Sequence, residues 1–324
     1  MSNKITFNPT PETKGIRLDI FLSQEIGVSR AQVQKLIRSG RVTVGGQLPK
    51  KPGDPLNRAS AIEIRDEAKK EEGVRLADRE NTDEYGVAVV ADTPEYVVVE
   101  KPAGLLVHPT EANEPVSLVN WILEKYPEIR GVGDDARRPG IVHRLDKEAS
   151  GLMVIAKTQR MFDHLKAQFQ ARTIEKRYAV LVHGAVAKDH DIITFAIDRG
   201  EGGRMVSRPK TDPLTVAGVA KEQPGKEAIT ECTVEKRFTR FTLLSVKIHT
   251  GRTHQIRVHM FAYNHPVVGD TIYMNKKLNL RRDQELGRLF LHATMLGFTS
   301  PEGEAVSYVS RLPDELQVFL TALR

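Results

Sequence analysis

Residues 66–85, "DEAKKEEGVRLADRENTDEY", carry eight acidic and four basic side chains and only scattered apolar ones. So polar a segment buries too little apolar surface to offset the entropy of ordering it, and it reads as a solvated acidic linker. The chain must then build its cores on either side. The preceding segment, residues 15–65, has the opposite balance, nine basic side chains against four acidic. A length of 324 residues leaves room for two domains, expected at 15–65 and 86–324.

Composition narrows the class. With 40% hydrophobic and 28% charged residues the chain is ordinary for a globular protein. No stretch approaches the roughly 18 uncharged apolar residues of a membrane span. The opening "MSNKITFNPTPETKG" lacks the apolar centre of a secretory signal, so a cytoplasmic location is expected. A single cysteine, Cys232, excludes an intramolecular disulfide and a Cys-rich zinc site. The net charge of +6 favours polyanionic partners.

In "GVSRAQVQKLIRSGRVTVGGQ", Ser29 is placed to cap a helix in which Val33, Leu36 and Ile37 recur at helical spacing and after which Gly40 stops the turn. "RVTVGGQ" then alternates into a Gly45-Gly46 turn. Arg30 and Arg38, eight residues apart, share a helix face, with Lys35 and Arg41 nearby and off the apolar stripe. Such a face either grips phosphates or is simply solvated. Residues 15–65 resemble the small RNA-binding domain named after ribosomal protein S-four, with its R-L-D-x-F-L, S-R and I-x-x-G-x-V-x-V-x-G elements. That resemblance implies that Arg30, Lys35, Arg38 and Arg41 face RNA.

From residue 86 onward strands dominate. "EYVVVEKPAGLLVHP" reads as a strand and a turn, "FTLLSVKIHTG" as a half-buried strand, and "LHATMLGFTSPEGEAVSYVS" as a hairpin. Ser117 and Thr158 are placed to cap helices. The mixed order predicts an α+β fold with a largely antiparallel sheet.

Four stretches concentrate reactive residues: "EKPAGLLVHP", "GIVHRLDKEASGLMVIAKT", "EKRYAVLVHG" and "TGRTHQIRVHMFAYNHPVVGD". The chain has no P-loop, no dinucleotide fingerprint and no nucleophile elbow. His254 and His259, five apart, miss the spacing of paired helical zinc ligands and read as hydrogen-bonding residues near a polar surface. Arg-Leu-Asp occurs twice, at 17–19 and 144–146, so the tripeptide alone establishes little.

Taken in order, the four stretches resemble the pseudouridine synthases of large-subunit ribosomal RNA, the RluA/RluD-like family, over residues 86 to about 310. "HRLDKEASG" matches the signature H-R-L-D-x-x-T-[ST]-G except at the threonine, here Ala149. "GRTHQIRVHM" followed by "HPVVGD" is equally distinctive. The resemblance implies that Asp146 is the catalytic carboxylate and Arg257 its cationic partner, on a helix that Thr253 would cap. It implies that Tyr178 stacks on the target base, and that Arg144 fills the gap left by the flipped nucleotide. It calls for no cofactor and no metal, and for ribosomal RNA as substrate. Two other readings stand beside it: a non-catalytic RNA-binding or ribosome-assembly factor that keeps the fold, and a synthase acting on transfer RNA. Ala149 lacks the hydroxyl with which a threonine would hold the loop, a loss on the order of 1 kcal/mol unless Ser150 compensates.

Overall fold

The structure is a computed structural model that describes residues 4–10, 13–26, 30–38, 40–56, 60–65, 75–76, 85–109, 116–200, 203–207, 225–274 and 281–324. The chain divides into two compact units, Met1–Glu72 and Gly73–Arg324.

In the first unit, strands β1 (Lys4–Phe7), β2 (Val42–Val44) and β3 (Ile62–Arg65) form an antiparallel sheet in the order β1-β3-β2. Its core joins Leu18 and Leu22 of helix α1 (Leu18–Glu25) to Val33 and Ile37 of helix α2 (Arg30–Arg38) and to Val42 and Ile62 of the sheet. Each such side chain removed from water contributes about 1.5–3 kcal/mol. Gly40 turns left-handed after α2, and the Arg41 N–H reaches back to the Leu36 carbonyl at 3.2 Å. At Gly45-Gly46 both residues have positive φ, and Val44 and Gln47 exchange backbone hydrogen bonds of 2.8 and 3.2 Å. That is the two-residue hairpin turn expected of a Gly-Gly pair. Ser29, the expected cap of α2, lies outside the described residues.

The second unit is built on a ten-stranded sheet. Its strands are β4 (Arg75–Leu76), β5 (Ala88–Asp92), β6 (Tyr96–Lys101), β7 (Ser150–Ala156), β8 (Glu175–His183), β9 (His190–Ile193), β12 (Thr230–Arg237), β13 (Phe241–Ile248), β14 (Leu291–Thr299) and β15 (Ala305–Val309). A separate pair, β10 (Asp198–Arg199) and β11 (Met205–Val206), forms a small ribbon. The main path runs β5-β6-β7-β14-β8-β13-β12-β9, with β15 paired to β14 and β4 to β15. Among the described residues only β7 with β14 and β4 with β15 are parallel strand pairs, so the sheet is mixed and largely antiparallel, and the fold is α+β.

Helices α3 (Leu118–Lys125) and α4 (Gln159–Ala171) pack apolar residues such as Trp121, Ile122, Phe162 and Leu165 into the same core as the wholly buried strands β6 and β7. Both begin at the expected caps: Ser117 Oγ accepts from Asn120 N–H and Thr158 Oγ1 from Met161 N–H. The remaining helices are α5 (Gln255–Ala262), α6 (Arg281–Leu286) and α7 (Asp314–Thr321). At α5 the expectation fails. The cap residue is His254 in a left-handed conformation with no side-chain cap, and not Thr253. Instead Gln255 Oε1 accepts from Thr250 Oγ1 and Arg252 N–H while its amide donates to Ile229 O and Thr230 Oγ1, tying the start of α5 to β12.

Of residues 66–85, read from the sequence as linker, the structure describes Arg75, Leu76 and Tyr85. Arg75 and Leu76 pair with Tyr308 and Val309 of β15, and the Tyr85 hydroxyl donates to Glu124 at 2.9 Å. Alternating charge obscured this, because two residues suffice to extend a sheet edge whose neighbour supplies the burial.

Candidate active site

Asp146 sits on the loop that leads into β7. Buried Leu145 anchors it, and Ala149 N–H donates to the Asp146 carbonyl at 3.2 Å, closing a four-residue turn by backbone alone. The turn therefore forms without the threonine hydroxyl that Ala149 lacks. Beyond it, Ser150 Oγ accepts from Arg288 Nη2 at 2.6 Å and lies 2.8 Å from His292 Nδ1. His292 Nε2 is 2.9 Å from Ser310 Oγ, which donates to Glu100 Oε2 at 2.8 Å. Arg288, Ser150, His292, Ser310 and Glu100 thus form one continuous hydrogen-bonded chain. At the next residue, Gly151 (φ +116°), a Cβ would lie 2.4 Å from the Ala293 carbonyl of β14. Only glycine permits that approach.

Arg257, on α5, is 1% exposed. Its Nε and Nη2 donate to the two oxygens of Asp270 at 2.7 and 2.9 Å, and Nη1 donates to Asp146 Oδ2 at 3.2 Å and lies 3.5 Å from Glu148. Such a fork holds a planar cation in one orientation. Asp270 Oδ1 also accepts the backbone N–H groups of Ile272 and Tyr273, each at 2.8 Å. Burial works against the Asp270 carboxylate, yet the Arg257 hydrogen bonds and charge hold its pKa below the ordinary value. Burial works equally against the guanidinium, and Asp270 followed by Asp146 outweighs it and raises its pKa. Gly269 (φ +77°), where a Cβ would lie 1.8 Å from the Arg288 carbonyl, lets the chain deliver Asp270.

Asp146 retains 15% side-chain exposure. It opens into a cleft of about 550 Å³ that is also lined by Tyr178, Arg144, His254 and Lys176. Tyr178 lies on β8, paired with Ala293 of β14 and Val246 of β13. Burial, and then the Asp146 charge, raise its hydroxyl pKa, so it stays a phenol. Arg144 is exposed at the cleft and pairs with no carboxylate among the described residues. His254 Nδ1 is 3.0 Å from the Tyr273 hydroxyl and its Nε2 is 3.9 Å from Asp146 Oδ1. His259, read from the sequence as near a polar surface, is instead fully buried between Thr230 Oγ1 and the Phe195 carbonyl. Beneath the loop, Lys101 is fully buried and donates to the carbonyls of Pro102, Leu105 and Lys147, whose three acceptors match an ammonium. Burial pushes its pKa down to about 7 while Asp146 opposes the shift.

In the first unit Arg30 is half-exposed and also makes an ion pair. Its Nη2 donates at 3.2 Å to Asp19, a fully buried carboxylate that also takes two 3.0 Å bonds from Arg17 and one of 2.7 Å from Gln34. Arg30 thus pins α2 to α1. Arg38 is exposed and Arg41 partly so, while the Lys35 side chain lies outside the described residues.

The structure brings Asp146, Arg257 and Tyr178 together around one cleft and sets Arg144 at its exposed side. Sequence reasoning passed over Asp270, Lys101, Lys176 and the role of His254. The "HPVVGD" and "EKP" stretches held two of them, but an acid thirteen residues from its arginine has no periodic signal.

A family model described as RNA pseudouridylate synthase matches residues 95–262, and one for the S4 domain matches residues 16–62. An uncharacterized RNA pseudouridine synthase of Aquifex aeolicus is 38% identical over 92% of this chain and 90% of its own. Ribosomal large subunit pseudouridine synthase D of Pseudomonas aeruginosa is 34% identical over 97% and 93%. Among solved structures, human RNA pseudouridylate synthase domain containing 1 aligns with a TM-score of 0.55 at 23% identity, covering 72% of this chain and 86% of that one, a likeness of fold. A cleft with one carboxylate held against a buried arginine, on a mixed sheet and within these matches, has one family behind it: this chain belongs to the RNA pseudouridylate synthases, isomerases of uridine in RNA.

Proposed function

We propose that the chain converts uridines of large-subunit ribosomal RNA to pseudouridine in the cytoplasm, with Asp146 as its catalytic residue. The observation that carries this reading is the fixed cation of Arg257, 3.2 Å from a carboxylate that still faces the cleft. The substrate follows that of the ribosomal large subunit pseudouridine synthases 34% identical to this chain over nearly its whole length.

A uridine stacked or paired in folded RNA is extracted first, at a cost of a few kcal/mol. Arg144, exposed and without a carboxylate partner among the described residues, occupies the space the nucleotide leaves. The uracil stacks on Tyr178. Asp146 acts on the ribose, the C1′–N1 bond breaks, and the detached base turns within the cleft. C1′ then bonds to C5, C5 loses its proton and N1 gains one, so the composition is unchanged and no cofactor is consumed. The cleft walls keep the freed base from water. Residues 15–65 hold the RNA through Arg38, Arg41 and Lys35.

The test is Asp146→Asn in the full chain, assayed by mapping pseudouridine in ribosomal RNA. Product is expected to vanish while RNA affinity stays within about twofold. Undiminished product would remove Asp146 from the mechanism.

A further inference from the structure

One cation of the cleft stands apart from the Asp146–Arg257–Asp270 cluster. Lys176 lies on β8 two residues before Tyr178, so both side chains leave the strand on the same side. Both line the cleft. The Lys176 ammonium stands 5.1 Å from the centroid of the Phe169 ring at the end of α4, which in turn stacks on His143 at 4.9 Å. His143 adds no charge of its own, since burial pushes its pKa down to about 3 and its Nε2 accepts the Val154 N–H.

Three other cations of the cleft are engaged. Arg138 pairs with Asp135, Arg172 pairs with Glu227, and Arg252 donates to the Glu227 carbonyl. Lys176 and Arg144 alone among these have neither a carboxylate nor a carbonyl partner among the described residues. An ammonium withdrawn from water and offered only a ring face is poorly compensated, and an anion arriving at it restores what burial removed. Burial lowers the Lys176 pKa to about 8, in keeping with that missing partner.

We propose that Lys176 is a phosphate-binding residue of the cleft, taking a backbone phosphate of the RNA beside the extruded uridine. Phosphate is favoured over the base because the ammonium lies at the Phe169 wall formed by α4, whereas the Asp146–Arg257 pair that marks the reacting sugar lies on the other elements of the cleft. The inference rests on the reading of this cleft as the RNA site.

The experiment compares the full chain carrying Asp146→Asn, which does not turn over, with the same chain carrying Lys176→Gln or Lys176→Arg in addition, binding a transcript of large-subunit ribosomal RNA over a range of salt. With Lys176→Gln the affinity is expected to fall about five- to tenfold, and the slope of log affinity against log salt to flatten by about 0.7, the value for one single-stranded phosphate contact. Lys176→Arg keeps both. In the Asp146 enzyme, Lys176→Gln raises KM and leaves kcat within about threefold. Unchanged affinity and slope would overturn the proposal, as would a loss confined to kcat, which would put the ammonium on the base. Absence of product from the unaltered enzyme on this transcript would sink the substrate reading instead, and the salt comparison would still decide Lys176, because it needs only bound RNA.

Discussion

Arg-Leu-Asp occurs at 17–19 and at 144–146 with opposite outcomes. At the first, the arginine closes a bidentate pair on a fully buried Asp19, whose carboxyl Arg17 holds well below the usual range. At the second, Arg144 has no carboxylate partner among the described residues and Asp146 takes its cation from Arg257, 111 residues away in sequence. Local spacing permits the first pairing; only long-range contact creates the second. Arg257 acts through geometry as well as charge, since a lysine there presents a point charge and cannot bridge both oxygens of Asp270 while reaching Asp146. Arg257→Lys is therefore expected to lower kcat at least a hundredfold with little change in RNA affinity, read by single-turnover kinetics. Asp270→Asn removes one partner of a buried ion pair, a change that costs about 3–5 kcal/mol. It should lower the thermal midpoint by roughly 10 °C, and a shift under about 2 °C would mean that Asp146 and Glu148 suffice to hold the guanidinium.

Strand β14 organises the site. It pairs in parallel with β7, which follows the Asp146 loop, and antiparallel with β8, which carries Tyr178, so one strand sets the spacing of the two residues. The relay through Ser150, His292 and Ser310 fastens that junction from behind, ending on Arg288 and Glu100. A buried chain of donors stiffens a structure when every member is matched and weakens it when one is removed. Ser150→Ala is expected to destabilise the protein by about 1–3 kcal/mol and to lower kcat more than it raises KM, because the loop bearing Asp146 loosens. Ser150→Thr keeps the hydroxyl and should behave as the unaltered chain. Equal unfolding midpoints for the alanine and serine forms would show that the relay does not hold the junction.

For the molecule, the division after Glu72 gives each unit its own hydrophobic core. Removing residues 1–72, which leaves β4 on its sheet, is expected to leave the rest folded, weaken RNA binding and flatten its salt dependence, as measured by titration at several ionic strengths. Affinity equal to that of the full chain would reduce the first unit to a solubility element. Much of this was legible beforehand, for physical reasons. The caps Ser117 and Thr158 and the Gly45-Gly46 turn are interactions between near neighbours, and the four reactive stretches are contiguous enough to be matched as strings. Strand β13, read from the sequence as half-buried, is instead buried from Phe241 through Leu244, where it runs between β8 and β12. The Arg30–Asp19 pair went unforeseen because a helical position says nothing of an acid eleven residues away, and Thr253 was misjudged because its left-handed neighbour His254 begins the helix. By itself the sequence determined where charge divides the chain, which family's strings it carries and several of its helices and strands, since these depend on contacts within a few residues. The tertiary structure alone decided that Arg257 bridges Asp270 and the Asp146 of the cleft, that β7 runs parallel to a strand some 140 residues later, and that Lys176 has no counter-ion among the described residues, because each depends on groups that only the folded sheet brings within bonding distance.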